Sequence, residues 1–336
     1  MSNESLVSAN VDYDRDGKQF GNLCVPQSTN SAGWSVAFIP VVVVKNGEGP
    51  TVVLFGGNHG DECEGPVTLL KLARTLDPSQ VKGRVIIVPM LNRPAVAGGT
   101  RLSPIDGANM NRAFPGKRGD SITGMIAHYV SSKILPLADL VVDIHSGGSS
   151  MHFLPSVNMH DIADRKQMDR MLEAAQAWRA PYIFIYEDVA GEGLLPSLAE
   201  GMGKVTLGTE MGSKAQFGVE TLRITERGVY NTLHWQGILI DPPADNTAVE
   251  PEIVAGNDTK DYIMAPGSGL FEPFFELEDR VEVGQPVGQV HDIEHPEQDA
   301  IIVRAETEGM VMGRRSVPLT SQGECVMVLV RPYSVR

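Results

Sequence analysis

The chain has 336 residues, 42% of them hydrophobic, enough for one large or two ordinary domains around a sizeable core. Its formal net charge is −14, which argues against a nucleic-acid partner, because phosphate backbones demand concentrated Lys and Arg. The cysteines Cys24, Cys63 and Cys325 form no C-x-x-C pair, and the sequence shows neither a signal peptide nor an apolar run long enough for a bilayer, so a cytoplasmic protein with no membrane partner is expected.

Residues 1 to about 34 are polar with scattered apolar positions and predict an edge strand or two with loops. Residues 36–44 are rich in β-branched side chains and predict a strand. Lys-Asn-Gly-Glu-Gly-Pro at 45–50 is a turn, residues 51–55 form the next strand, and a hairpin joining the two is expected. Pro66 stands where a helix begins, and Leu69, Leu72, Ala73 and Leu76 recur at helical spacing. Val85-Ile86-Ile87-Val88 is a buried-strand pattern. Residues 92–119 are rich in Gly, Pro and Asn and predict one long loop of the kind that carries function. Asp120 and Ser121 are N-cap types for a helix to about Leu135. Residues 139–144 predict a strand that ends in His145-Ser146-Gly147-Gly148. A helix near 162–178, a strand near 182–186, a helix near 194–201, a strand at 204–209 ending in Glu210 and a helix at 221–235 follow. This alternation predicts an α/β sheet covered on both faces.

Pro and Asp punctuate residues 241–252, a linker that separates a first domain, 1–245, from a second, 256–336. The second is a series of short β-like runs divided by glycines, a small all-β domain. Its pattern resembles a lipoyl/biotinyl-type barrel-sandwich. That resemblance implies a carrier lysine in a turn, yet no lysine follows Lys260, so a structural or oligomerisation role is expected instead.

The chain is organised around residues 55–66, Phe-Gly-Gly-Asn-His-Gly-Asp-Glu-Cys-Glu-Gly-Pro, between an apolar strand and a helix. This glycine-rich bend presents His59 and Glu62 at the carboxyl end of a strand, where open α/β sheets place their ligands. Imidazole with carboxylate suits zinc. A catalytic zinc takes three protein ligands and keeps one position open, and His145 at another strand end is the third candidate. Cys63 reads as a small packing thiol, since Glu62 and Glu64 beside it disfavour a thiolate. His291 and His295, among Asp292, Glu294 and Pro296, read as an exposed turn.

Four ordered motifs carry a family resemblance: residues 56–62 (Gly-Gly-Asn-His-Gly-Asp-Glu), 109–116 (Asn-Met-Asn-Arg-Ala-Phe-Pro-Gly), 143–148 (Asp-Ile-His-Ser-Gly-Gly) and 209–212 (Thr-Glu-Met-Gly). Over residues 35–240 the chain resembles the succinylglutamate desuccinylase/aspartoacylase family, which implies a zinc-carboxypeptidase-like mixed sheet with helices on both faces and cleavage of N-acyl amino acids. Residues 43–50, 100–112 and 224–228 most resemble the branch that deacetylates N-α-acetyl-L-2,4-diaminobutyrate in ectoine breakdown. The resemblance implies a zinc-dependent amidohydrolase acting on a linear amide. His59, Glu62 and His145 would bind Zn2+, Glu210 would move the water proton, Arg101 would stabilise the oxyanion, and Asn111 and Arg112 would hold the substrate α-carboxylate. Asp61 and Asp143 are candidates to orient a ligand, and Glu187, Asp188 or Glu192 to meet a substrate ammonium. The alternatives are an acidic N-acyl amino acid as substrate, a zinc carboxypeptidase, or a non-catalytic metal-binding protein. A homo-oligomer is expected, because a β domain offers edges for assembly.

Overall fold

The computed structural model describes residues 4–187, 191–212, 218–245 and 247–333. The first part of the chain supplies strands β1 (Ser8–Ala9), β2 (Gly17–Thr29), β3 (Ala32–Asn46), β4 (Thr51–Gly56), β5 (Gly83–Val88), β6 (Leu140–Ile144), β7 (Met151–Phe153), β8 (Ser156–His160), β9 (Tyr182–Tyr186), β10 (Val205–Glu210) and β11 (Glu252–Gly256). Its helices are α1 (Glu64–Thr75), α2 (Arg93–Gly98), α3 (Ile122–Tyr129), α4 (Arg165–Trp178), α5 (Leu195–Gly201) and α6 (Val219–Trp235).

The middle of the large sheet runs β3-β5-β4-β6-β10-β8-β9-β11. Parallel pairing joins β5, β4, β6 and β10, while β8 runs antiparallel to β10, so the sheet is mixed. Side chains alternate faces along each strand. Val52 and Leu54 of β4 point into one core with Leu69, Leu72, Met171, Trp178 and Leu233 from α1, α4 and α6. Val53 and Phe55 point into the other with Ile122, Ile126, Leu195 and Ala199 from α3 and α5. Both faces are covered, as the alternation of strands and helices requires. Gly228 of α6 makes one close packing: a Cβ there would come within 2.1 Å of the buried Trp178 indole, so the ring lies against bare helix backbone.

Three local expectations change. β3 and β4 are not a hairpin, because β5 inserts between them and pairs antiparallel with β3 and parallel with β4. The turn at residues 45–50 is real, but the chain leaves it for a different slot in the sheet. The stretch 92–119 is not one loop. Asn92 caps α2 by accepting from Ala95 N–H with Pro94 in the first turn, and Met110–Arg112 forms a 3-10 turn. Both signals, Asn-Arg-Pro and Asn-Met-Asn, stand in the sequence. Strands β7 and β8 are additional to the expected ones: β7 is only three residues long, and β8 intersperses the polar Ser156, Asn158 and His160 with Val157 and Met159. Ser121, rather than Asp120, caps α3.

The C-terminal part forms β12 (Tyr262–Met264), β13 (Gly269–Pro273), β14 (Arg280–Val281), β15 (Pro286–His291), β16 (Ile301–Arg304), β17 (Gly309–Arg315), β18 (Leu319–Thr320) and β19 (Cys325–Pro332). A separate sheet, β16-β15-β13-β18, faces strands β12, β17 and β19 across a core of Phe271, Val287, Val311 and Leu329. Through β11–β19 pairing the large sheet continues into this unit, and β7 pairs with β17. These contacts fix the C-terminal strands against the carboxyl ends of the central ones. Among the described residues, no helix is long and apolar enough to cross a membrane.

Candidate active site

Three neighbouring parallel strands deliver the chemistry. Gly56 of β4 stands opposite Ile144 of β6, and Gly208 of β10 opposite Asp143. The bend after β4 carries His59 and Glu62, β6 is followed at once by His145, and β10 ends in Glu210. The bend is pressed hard against α2. A Cβ on Gly60 would sit 2.0 Å from the Ala95 carbonyl, so only glycine fits between the two ligand-type residues. Thr209 locks β10 to β6 by accepting from His145 N–H and donating to its carbonyl.

Ligand-type atoms of His59, Glu62 and His145 lie within 4.8 Å of one another, and all three side chains are buried. Two supports set the ring tautomers. His59 Nε2–H donates to Asn109 Oδ1 at 3.0 Å, and His145 Nε2–H donates to Asp143 Oδ2 at 2.8 Å. Asn58 Nδ2 donates to the same Asp143 oxygen. With those protons committed, each Nδ1 turns toward a Glu62 oxygen, at 2.7 Å from His59 and 2.8 Å from His145. Lone pairs then face lone pairs, and something positive must sit between them. Burial pushes Glu62 up, but His59 and His145 outweigh it and hold the carboxyl well below its usual range. Burial likewise opposes charge on His145, yet Asp143 and Glu62 hold its imidazole well above its usual range. Two imidazole nitrogens and a carboxylate, with both imidazoles oriented from behind, fit a zinc ion that displaces protons on binding.

The surrounding cavity measures about 580 Å3. Arg101, Asn111, Arg112 and Glu210 all line it with the triad. Arg101 Nη1 lies 3.3 Å from Glu62 Oε1. Arg112 Nη1 donates to the Asn111 carbonyl, and Asn111 Oδ1 accepts from Leu195 N–H, which ties the 3-10 turn to α5. Glu210 Oε2 is buried and, among the described residues, has no hydrogen-bond partner. Burial first, then the Glu62 charge, raises the Glu210 carboxyl from 4.5 to about 8. Burial and the neighbouring Glu64 raise the half-buried Cys63 thiol, in keeping with a packing role.

The raised Glu210 carboxyl has a thermodynamic consequence. Between 4.5 and about 8 the folded chain binds a proton there that the unfolded chain has released. Stability therefore falls as pH rises through that window. In chelator-treated protein, Glu210→Gln removes this loss. The melting temperature of the variant minus that of the parent should grow from about pH 5 to about pH 8. A difference that stays flat across the window contradicts the burial and charge assigned to Glu210.

Some candidates sit elsewhere. Asp61 accepts from Ser149 N–H and Oγ rather than from a ligand, so it pins the loop after His145. Glu187 and Glu192 are exposed and do not line the cavity, and Asp188 lies outside the described residues. His291 and His295 are exposed and pair with Glu272 and Asp292. Sequence reasoning missed Asn109, although it opens a quoted motif. It also missed the C-terminal wall of the cavity, where Tyr262, Met264, Arg315, Glu324 and Cys325 face the central strands. Arg315 and Glu324 pair there at 2.7 Å.

At the ends of adjacent strands of a mixed sheet, a His/Glu/His cluster that could hold a metal ion stands in one cavity with a carboxylate able to move a proton. The chain belongs to the family described as succinylglutamate desuccinylase/aspartoacylase catalytic domain, whose pattern matches residues 48–235. It is 39% identical over 329 residues to the N-alpha-acetyl-L-2,4-diaminobutyric acid deacetylase of Halomonas elongata, covering 97% of this chain and 95% of that one. The product-bound ectoine utilization protein EutE (DoeB) of Ruegeria pomeroyi superposes with a TM-score of 0.92 at 36% identity, covering 97% of this chain and 99% of that one. A succinylglutamate desuccinylase/aspartoacylase from Rhodobacter sphaeroides gives 0.91 at 38% identity, covering 98% and 100%.

Proposed function

We propose that this chain is a zinc-dependent amidohydrolase that removes the acetyl group from N-α-acetyl-L-2,4-diaminobutyrate. The observation that carries the proposal is the convergence, in one cavity, of the oriented His59/Glu62/His145 cluster with the unpartnered Glu210 oxygen. Near-complete coverage of a diaminobutyric acid deacetylase at 39% identity supports the choice of substrate.

Held by His59, Glu62 and His145, zinc supplies Lewis acidity to the amide carbonyl and lowers the pKa of water. The residues do the rest. Arg112 offers a guanidinium fork and Asn111 an amide to the substrate α-carboxylate, which fixes the scissile amide relative to the cluster. A cation held at the cluster would favour the ionised form of Glu210, which as carboxylate takes a proton from the attacking water while the oxygen adds to the acyl carbon. Arg101 faces the negative charge that develops on the carbonyl oxygen. Glu210 then returns the proton to the amide nitrogen as the C–N bond breaks. The second proton of the water passes from the new carboxyl to the amine, so acetate and the α-ammonium leave, and Glu210 is a carboxylate again.

Treating the purified protein with a chelator should abolish acetate release, and adding back zinc alone should restore it. Undiminished turnover in protein shown to hold no metal would sink the zinc reading.

A further inference from the structure

We propose, resting on that amidohydrolase activity, that Gly208 floors the well that receives the acyl substituent, and that its missing side chain is what admits the acetyl methyl. Gly208 stands inside β10, two residues before Glu210. Side chains alternate along a strand, so the two positions face the same side, away from Leu207 and the core it enters. Gly208 pairs with Asp143 of β6 and with Asn158 of β8, and Asn158 pairs with Phe184 of β9. His145 follows Asp143 by the same two residues. Gly208 therefore lies one pleat, roughly 6.6 Å, beneath the level of Glu210 and His145. With Asn158 and Phe184 it lines the cavity that holds the His59/Glu62/His145 cluster.

A glycine inside a strand weakens it, and marks a bulge, a bend or the close approach of a ligand or another backbone. β10 keeps its register with both neighbours through this position, so there is no bulge. Gly208 is not among the glycines of positive φ, so its backbone conformation is open to other residues. Nor does packing exclude a side chain. A Cβ on Gly208 would find its nearest neighbours, the carbonyl oxygen and Cβ of Asn158, at 3.6 and 3.7 Å, which is ordinary contact. Gly288 and Gly313, inside β15 and β17, show the opposite case: a Cβ there would come 2.5 Å from the Phe271 ring and 2.4 Å from the Phe153 ring. Neither the backbone nor the surrounding protein demands glycine at 208. A ligand that comes down onto the strand does.

Chemistry selects which part of the ligand. Arg112 and Asn111 draw the α-carboxylate, and the cluster with Glu210 fixes the scissile amide. The acyl substituent and the amino-acid side chain are the two groups left to place. Gly208, Asn158 and Phe184 carry no charge, and Asn158 Oδ1 already accepts from Ser156 Oγ at 2.7 Å. An ammonium or a second carboxylate would give up its water in the well with no opposite charge among these residues. A methyl group needs none, and it gains contact with the Phe184 ring. The acetyl methyl goes down into the well, and the charged side chain of the amino acid stays on the open side of the cavity.

The test is Gly208→Ala, which adds one methyl group to the well where the protein has room for it. kcat/KM is measured for parent and variant on three substrates. They are N-α-acetyl-L-2,4-diaminobutyrate, its N-α-formyl analogue, whose acyl group has no methyl, and N-α-acetyl-L-alanine, whose side chain is a single methyl. One methylene decides about 10–200-fold in a pocket, so both acetyl substrates should fall by that order in the variant. The formyl substrate should keep the parent's value, with zinc content and circular dichroism unchanged. An equal fall on all three makes Gly208 structural and overturns the proposal, as does an unchanged value on the acetyl substrates. A fall on both diaminobutyrate substrates that spares acetyl-alanine overturns it by placing the amino-acid side chain in the well. The parent alone reports on the amidohydrolase activity. A zinc-loaded parent that hydrolyses none of the three contradicts that activity and this proposal with it, whereas an active parent leaves the activity standing whichever way the variant behaves.

Discussion

Glu62→Gln should abolish turnover and metal retention together. Both Glu62 oxygens are engaged, one by each imidazole, and the side chain is buried. The amide nearly preserves the volume, so packing survives. It removes the charge that balances the two histidines and turns an N–H donor toward one of the nitrogens that must coordinate. Residues that merely support a ligand typically cost 10–100-fold in metal affinity when changed, roughly, and loss of a ligand should exceed that. Zinc content measured after dialysis should fall to background, with circular dichroism unchanged. A Glu62→Gln protein that keeps stoichiometric zinc would remove Glu62 from the ligand set.

Glu210→Gln should separate the two properties. Glu210 leaves the end of β10 and lines the cavity, with Oε2 unpartnered. The amide cannot accept the water proton. General base and acid steps are worth about 10²–10⁴-fold, so kcat should fall by that order while zinc content and KM stay near those of the parent. The two variants thus part the roles: Glu62→Gln loses metal and rate, Glu210→Gln loses rate alone. Loss of zinc from Glu210→Gln, or a fall in kcat of less than about tenfold, would make Glu210 a structural carboxylate.

The features legible in the sequence share one property: they are local. His59 and Glu62 lie on one bend, and the apolar runs that become β4, β6 and β10 each announce their carboxyl ends. His145 and Glu210 could therefore be placed at strand ends before their strands were known to be neighbours. That adjacency is long-range. Nothing in residues 45–50 shows that β5 will slip between β3 and β4. Nothing in the glycine-punctuated tail shows that Tyr262, Arg315 and Glu324 will wall a cavity whose His/Glu/His cluster lies far earlier in the chain, because that follows from the β11–β19 and β7–β17 pairings. Asn109 is a middle case. Its type and motif were in view, but its role depends on the 3-10 turn that brings Oδ1 to His59 Nε2. The exposed Glu187 and Glu192 show the converse, since their charge suggested a substrate contact that their placement does not support.

The reading of this chain as an N-α-deacetylase rests most directly on one comparison of substrates. Zinc-loaded protein would be given N-α-acetyl-L-2,4-diaminobutyrate, its N-γ isomer, N-acetylaspartate and N-succinylglutamate, and release of the acyl acid would be measured for each. Turnover of the N-α isomer far above the other three is the expected result. Preference for N-acetylaspartate or N-succinylglutamate would contradict the substrate while keeping the hydrolytic site, and no release from any of the four by protein holding zinc would contradict the enzyme itself.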